Sequence, residues 1–548
     1  MFGIAVADQL RLNAQAFPDR TAIEVIGGPS LTYAEAWRRV LGLAETLREV
    51  PVHNGHRMVG LLLPNGADAI LGMLACQLAG CSAVPINSRL ARPEMNYILQ
   101  DSGAVTVLAA APYLDVAADL EGRAPLRVID CDAVPSREAP AADWDPVDGA
   151  TPYVVTYTSG TTGFPKGVVC SGDYIFMQYM RWAWQFGFGR HDTLLTAGPL
   201  FHGSYNGLSV IALLMGAKNR VMTAFDPAVA CDELAERATF AFLVPTMTST
   251  VLEEWRARGR PELGSLRFLL SSGASITPEL LEGALSAFPN ATVAEAYGYS
   301  EVGWVTYEEK PSPRDIRPQC VGWPMVGAEI AVVRPDGGRC EVGEPGEVVA
   351  RSMLLFDGYL NKPEATEAAM VDGMVVSGDI GVLDEDGRLR IVDRKAHMIV
   401  TGGENVYTAE VERVLLTHPK IAEAAVVGRP DPHWGRRSSP SSCPRRTGWT
   451  PRTSGTTAAG SSRATRFPRW SRSGRSCPAT PWERSRSSHS GSRPAPRPPP
   501  TDGGTRVQSS HHRQRRRLTA GHRGARPAGR AGLQHGRHRG GAVGGGPR

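Results

Sequence analysis

Eleven residues, Tyr157-Thr158-Ser159-Gly160-Thr161-Thr162-Gly163-Phe164-Pro165-Lys166-Gly167, gather glycine, hydroxyl and lysine at a density suited to gripping a polyphosphate. The glycines let main-chain N–H groups converge on anionic oxygens, the hydroxyls of Thr158, Ser159, Thr161 and Thr162 add neutral donors, and Lys166 brings a mobile positive charge. The common P-loop is excluded, because there a Ser or Thr follows the lysine and meets magnesium, whereas Gly167 stands at that position. A Ser/Gly-rich linker is the bland alternative; against it stands the strand-like run Pro152-Tyr153-Val154-Val155-Thr156 that feeds the loop.

Such a loop needs a scaffold, and the chain supplies an alternating one. Tyr33–Glu49 has helical periodicity, Met58–Leu63 reads as a strand, Ala67–Leu78 as a helix and Cys81–Ile86 as a strand. Further strands are expected at Leu194–Ala197, Phe240–Val244, Phe268–Ser271 and Thr292–Ala296, each ending in a polar or Gly-rich turn where ligands of open parallel sheets gather. From about Ala331 the texture becomes strand and turn, with Asp336-Gly337-Gly338 and Asp386-Gly387 as hairpin signals. Helical periodicity returns at Ala409–Leu416, after the Gly402-Gly403 turn. The fold class is α/β, with a smaller β-rich subdomain.

Charge divides the chain near Gly435. Residues 436–548 hold 25 Arg, no Lys and two acids, Glu483 and Asp502, while residues 1–435 hold 35 basic and 53 acidic residues. The overall +5 describes neither part, so it gives no ground for a nucleic-acid partner. The first part is long enough for one large domain and the start of another. The opening Met1–Asp8 lacks a basic, apolar leader pattern, and no run approaches about 18 uninterrupted apolar residues, so a cytoplasmic, soluble protein is expected. Nine scattered cysteines, none in CxxC spacing, indicate neither a disulfide framework nor a zinc site.

Further motifs accompany the loop: Pro199-Leu200-Phe201-His202-Gly203, Tyr297-Gly298-Tyr299-Ser300-Glu301, Gly358-Tyr359-Leu360-Asn361-Lys362-Pro363-Glu364-Ala365-Thr366, Ser377-Gly378-Asp379, Asp393-Arg394-Lys395 and Gly402-Gly403-Glu404-Asn405. In order and spacing, residues 1–434 resemble the adenylate-forming acyl-CoA synthetase superfamily, on its fatty-acid and aryl-acid CoA ligase branch. The resemblance implies a large N-terminal domain of stacked α/β subdomains plus a smaller β subdomain, followed by an α+β C-terminal domain. The expected divisions are 1–392 for the AMP-binding domain, 393–435 for the hinge and the start of the C-terminal domain, and 436–548 for a basic tail.

The resemblance also implies the reaction: a carboxylic acid attacks ATP to give an acyl-adenylate and pyrophosphate, and coenzyme A then displaces AMP. On this reading Thr158, Ser159, Gly160, Thr161, Thr162, Gly163 and Lys166 hold the β- and γ-phosphates. Glu301 is the magnesium ligand, a hard carboxylate for a hard cation. Tyr297, Gly298 and Ser300 lie along the nucleotide, Ser300 beside the α-phosphate, and Gly273, Ala274 and Ser275 lie against adenine. Asp379, expected to close a Ser377-Gly378-Asp379 turn, accepts the ribose hydroxyls, Arg394 contacts the nucleotide near the hinge, and Gly402, Gly403 and Glu404 complete the nucleotide set. His202 gates the acid pocket, which Tyr205, Asn206, Val244, Pro245, Gly298 and Tyr299 line, an apolar set that suits a fatty or aromatic acid better than an amino acid.

Some positions depart from the family pattern. Cys170-Ser171-Gly172 stands where Thr-His is usual, Ser377 replaces a threonine, Ala396 occupies the place of an Asp or Lys about which the C-terminal domain turns, and Thr408 replaces a proline. The family's late Pro-Arg-Asn-x-x-Gly-Lys loop is missing, and no lysine follows Lys420. The Arg/Ser/Pro/Gly bias of residues 436–548 is too poor in large apolar side chains to offset the entropy of ordering, and disorder is expected there. Read one codon position out of frame, Cys477–Ser485 permits Pro-Arg-Asn-Ala-Met-Gly-Lys-Val, Arg463–Pro468 permits Arg-Tyr-Lys-Ile-Pro, and Arg437–Pro451 permits a strand followed by Asp-Gly-Val-Asp-Pro. A frameshift between about Gly435 and Arg437 is therefore expected. The rival reading is a basic arm, with Arg513-Gln514-Arg515-Arg516-Arg517 neutralising nucleic-acid phosphates.

Overall fold

Met58–Leu62 is an unbroken apolar run whose five residues are all buried, as a strand covered on both faces requires. In the computed structural model it pairs in parallel with Ser82–Pro85 on one side and Thr106–Ala109 on the other. The structure describes residues 6–444 apart from 53–54, 139–146, 159–163, 316, 318, 354, 402–403, 417, 419–420 and 432–434. All of these fall within the first of two units, Met1–Arg469.

Among the described residues this strand belongs to a seven-strand sheet, ordered Gly358–Tyr359, Lys166–Ser171, Pro152–Thr158, Ser82–Pro85, Met58–Leu62, Thr106–Ala109 and Arg127–Asp130. A second sheet of fourteen strands holds the parallel run Thr193–Thr196, Phe240–Phe242, Phe268–Ser271 and Thr292–Tyr299, then turns antiparallel through Gly303–Glu309. Helices pack on these sheets. Tyr33–Leu47 starts at a reciprocal cap in which the Glu35 N–H donates to Thr32 Oγ1 and the Thr32 N–H to Glu35 Oε2. Its buried Tyr33, Val40, Leu43 and Leu47 join Ile70, Leu71 and Leu74 of Ala67–Leu78 in the largest core.

The predicted elements reappear with local shifts. Phe268–Ser271 is as expected, while Phe240–Val244 ends at Phe242 because Pro245 opens a helix for which Val244 is the N-cap. Thr292–Ala296 runs on to Tyr299, carried by its hairpin partner Gly303–Glu309. One expectation is corrected. Ser377-Gly378-Asp379 is not a turn but an irregularity inside the strand Met374–Leu383, where Gly378 takes φ 74 and the pairing to Gly346–Arg351 slips register. Asp386-Gly387 does close a hairpin, between Met374–Leu383 and Leu389–Arg394, with Gly387 at φ 77.

Beyond Arg394, Ile399–Thr401 pairs with Glu404–Val406, and the helix Thr408–Leu416 follows. Asp393 Oδ2 receives both the Thr408 N–H at 2.6 Å and the Thr408 hydroxyl at 2.9 Å, fastening the start of that helix to the strand Leu389–Arg394. Ile421–Asp431 then pairs antiparallel with Gly435–Pro444. The basic segment thus begins with a strand, one in which Pro440 and Pro444 have no main-chain N–H to give to the ladder. Residues 445–548 lie outside the described residues. No helix among the described residues is long and apolar enough to cross a membrane.

Candidate active site

The two strands that flank the phosphate loop pair antiparallel, with Thr158 opposite Lys166 and Tyr157 opposite Gly167. Ser159, Gly160, Thr161, Thr162 and Gly163 lie outside the described residues. Both flanks of the loop are held by the helix Arg92–Ser102: the Tyr157 hydroxyl donates to Asp101 Oδ2 at 2.9 Å, and the Tyr97 hydroxyl to Pro165 O at 3.0 Å. Gly167 is required by packing, since a Cβ there would lie 2.8 Å from Val155 Cγ1 and 3.1 Å from Tyr157 Cζ. The serine or threonine of a P-loop has no room at this position.

Glu301 occupies the turn between Thr292–Tyr299 and Gly303–Glu309, where Tyr299 pairs with Gly303. Gly298 permits this hairpin, because a Cβ would fall 1.9 Å from Gly303 O. The Tyr359 hydroxyl donates to Glu301 Oε1 at 2.7 Å, and the Lys166 ammonium sits 4.8 Å from the centre of the Tyr359 ring. The two-residue strand Gly358–Tyr359 pairs with Val168 and Val169, which brings a residue far along the chain to the loop's lysine. Ser300 is exposed beside Glu301.

A second cluster starts from Tyr297 on the first strand of the same hairpin. The Tyr297 hydroxyl donates to Asp379 Oδ2 at 2.7 Å, and Arg394 Nε lies 3.2 Å from Asp379 Oδ1, across paired strands in which Asp379 and Arg394 are in register. Asp379 is only 5% exposed, while the Arg394 side chain is 67% exposed. The Ser377 hydroxyl accepts the Asp379 N–H at 3.0 Å and donates to Val348 O at 2.8 Å, holding the irregular strand in shape. Burial drives the Tyr297 phenol well above its ordinary pKa, with the Asp379 charge adding to the shift, so the phenol keeps its proton as donor.

The turn after Phe268–Ser271 carries Gly273 at φ 90, with Gly273 and Ala274 exposed and Ser275 half-buried. Its far end is pinned by the Ile276 N–H donating to Glu295 Oε1 at 3.2 Å. Burial pushes the Glu295 carboxyl up to about 7, against the pull of the Lys310 ammonium 3.6 Å away. Lys310 also pairs with Glu308, which Arg388 approaches at 3.4 Å.

His202 caps the helix Gly203–Leu214, its Nδ1 accepting the Ser204 N–H at 3.4 Å. Protein packed around the ring lowers its pKa although one edge is open to solvent, so the neutral imidazole is favoured. Tyr205 is buried, its ring 4.7 Å from Phe242 and its hydroxyl 3.3 Å from Met247 Sδ. Phe242 in turn meets Trp304 edge-on at 5.5 Å, and the Trp304 indole N–H donates to Ser272 Oγ at 3.0 Å. Val244 touches Gly273, within 3.6 Å of the position of a Cβ. Asn206 is engaged in helix packing, its amide donating to Ala69 O at 3.1 Å, and the Tyr299 hydroxyl donates to Val375 O at 2.6 Å.

The structure thus brings Lys166 to Glu301 through Tyr359, and Tyr297 to Asp379 and Arg394. Gly402 and Gly403 lie outside the described residues, and Glu404 is placed only as the strand partner of Thr401. Tyr359, Asp101 and Trp304 carry contacts that the motifs did not reveal. The donor set fits magnesium–ATP: among the described residues Glu301 is a carboxylate with one oxygen unpartnered and Lys166 a cation held by nothing stronger than a ring face, and Asp379 is a buried carboxylate for neutral hydroxyls.

Comparison with known proteins agrees. Residues 10–360 match the model of the AMP-binding enzyme family, and residues 410–440 that of the AMP-binding enzyme C-terminal domain. The chain is 34% identical over 430 residues to a feruloyl-CoA synthase of Amycolatopsis sp, covering 77% of this chain and 85% of that protein. It is 33% identical over 421 residues to a long-chain-fatty-acid–CoA ligase of Mycobacterium tuberculosis, covering 74% and 81%. Among solved structures, o-succinylbenzoate coenzyme A synthetase of Bacillus subtilis in complex with ATP and magnesium ion superposes with a TM-score of 0.69 at 29% identity, covering 79% of this chain and 89% of that one. By the family match and the likeness to these ligases, the chain belongs to the AMP-binding enzymes, as an acid–thiol ligase that draws on ATP, magnesium and coenzyme A.

Proposed function

We propose that the chain activates a carboxylic acid with an aryl or short apolar body, joining it to AMP and then passing the acyl group to coenzyme A. The observation that carries the reading is the pair of clusters on one hairpin, Lys166–Tyr359–Glu301 and Tyr297–Asp379–Arg394. In the first step a carboxylate oxygen bonds to the α-phosphorus and pyrophosphate leaves; in the second the thiolate bonds to the acyl carbon and AMP leaves. Magnesium, when bound, shields the charge on the phosphate oxygens. Lys166 neutralises the departing pyrophosphate, Glu301 holds the cation, and Asp379, aimed by Tyr297, accepts the ribose hydroxyls. His202, exposed and with its ring 6.2 Å from that of the buried Tyr205, gates the acid.

Tyr205, Phe242 and Trp304 form a connected, buried aromatic run next to His202, which supports a flat or short acid, as does the likeness to a feruloyl-CoA synthase. The finer reading concerns this exact chain: with no lysine after Lys420, the C-terminal part brings no lysine ammonium to the phosphorus, and adenylation is slowed while nucleotide binding survives. Acid-dependent pyrophosphate release, measured across aryl, medium-chain and long-chain acids, tests both parts. This chain should release little, and a chain with the reading frame restored after Gly435 should release several orders of magnitude more, with aryl acids leading. Equal rates overturn the impairment; no release by either chain with any acid overturns the ligase reading.

A further inference from the structure

Glu301 lies in a short turn, and a glutamate there has several rotamers unless something fixes it. One group does. The Tyr359 hydroxyl engages Oε1 and leaves Oε2 without a partner among the described residues. The same segment grips the Glu301 main chain, since the Phe356 N–H donates to Glu301 O at 3.2 Å and the Phe356 ring meets the Tyr359 ring edge-on at 5.2 Å.

Tyr359 is itself held. Its N–H donates to Thr366 Oγ1 at 2.9 Å, and that hydroxyl donates to Lys362 O at 3.0 Å. Gly358, at φ 126, presses against Thr366, where a Cβ would lie 3.1 Å from Cγ2. Three residues on, Lys362 Nζ bonds both Asp101 oxygens, at 2.8 and 3.0 Å, and Asp101 also receives the Tyr157 hydroxyl from the strand that enters the phosphate loop. Lys166, at the strand that leaves the loop, rests on the ring face of Tyr359. An ammonium on a ring face is held weakly compared with one on phosphate, so a polyphosphate takes it over readily.

We propose that Tyr359 is a positioning residue for this site: its hydroxyl sets the Glu301 carboxylate for a divalent cation, and its ring parks Lys166 until a polyphosphate arrives. The assignment rests on the ATP reading above. It also makes the Gly358–Thr366 segment, rather than the hairpin alone, responsible for the spacing between lysine and carboxylate.

The test uses the full chain and calorimetric titration with ATP, once with magnesium and once with a chelator. Tyr359→Phe removes one oxygen and keeps the ring. It should weaken ATP binding about tenfold with magnesium and less than about twofold without, the scale expected for one hydrogen bond to a charged group. In a Glu301→Gln background the same change should have no further effect. Tyr359→His, which keeps a ring N–H donor, replaces the phenylalanine variant if that protein does not melt cooperatively, and should retain the magnesium effect. An equal loss with and without magnesium, or a loss that persists beside Glu301→Gln, overturns the proposal while leaving the ATP reading intact. Absence of ATP binding in the parent chain removes both.

Discussion

The hydroxyl of Tyr297 stands 2.7 Å from Oδ2 of Asp379, across 82 residues of chain, and gives a buried carboxylate its one phenolic donor among the described residues. The other oxygen faces Arg394, most of whose side chain is in solvent. The carboxylate is therefore aimed by a buried group and trimmed by an exposed one.

Tyr297→Phe is expected to weaken AMP and ATP binding by about tenfold or more, since a hydrogen bond to a charged acceptor contributes about 1.5–3 kcal/mol. Asp379→Ala should remove most of the affinity, and Arg394→Ala should cost far less because its own side chain is largely in solvent. Calorimetry with AMP decides the ranking. If Arg394→Ala is the most damaging of the three, the ribose assignment of Asp379 is wrong.

Glu295 predicts a pH dependence of stability. Its folded pKa of about 7 lies above the ordinary 4.5, so between these values the folded protein holds a proton that the unfolded chain has released. Its contribution is fully present below about 4.5 and fades as pH rises through about 7. Denaturant midpoints of the parent relative to Glu295→Gln should therefore fall from about pH 5 to about pH 7.5. A flat or rising difference would show that Lys310 keeps the buried acid charged throughout.

Trp304 should matter to both stability and selectivity. It packs 4.4 Å from Trp182 and 5.5 Å from Phe242 and bonds Ser272 just before the Gly273 turn. Trp304→Ala is expected to cost about 3–5 kcal/mol in urea unfolding, as large-to-small aromatic changes in cores do. The variant should also bind acyl-adenylates of longer acids more tightly relative to aryl ones. Unchanged selectivity on a destabilised protein would place Trp304 in the core and out of the pocket.

The sequence makes legible whatever is local. The apolar run Met58–Leu62 and the strand Phe268–Ser271 declare themselves by composition, and the phosphate loop by its glycines and hydroxyls. Ser377-Gly378-Asp379 looked like a turn because glycine beside aspartate usually makes one, yet neighbouring strands on both sides kept the segment extended around Gly378. The role of Tyr359 is not legible in its conspicuous segment, because its partner lies 58 residues away and only the pairing of Gly358–Tyr359 with Val168 and Val169 reveals it. Asp101 was hidden likewise, 261 residues from Lys362 on a helix with no motif.

The two-residue ribbon Gly358–Tyr359 has an effect outside chemistry. It is the border strand of the seven-strand sheet, and it occupies main-chain groups of Val168 and Val169 that would otherwise be open to pairing with another molecule. Pro363, soon after it, cannot donate to a further ladder. Loosening this ribbon would bare a buried-type valine strand to neighbouring chains, so damage near the phosphate loop should surface as aggregation as well as lost turnover.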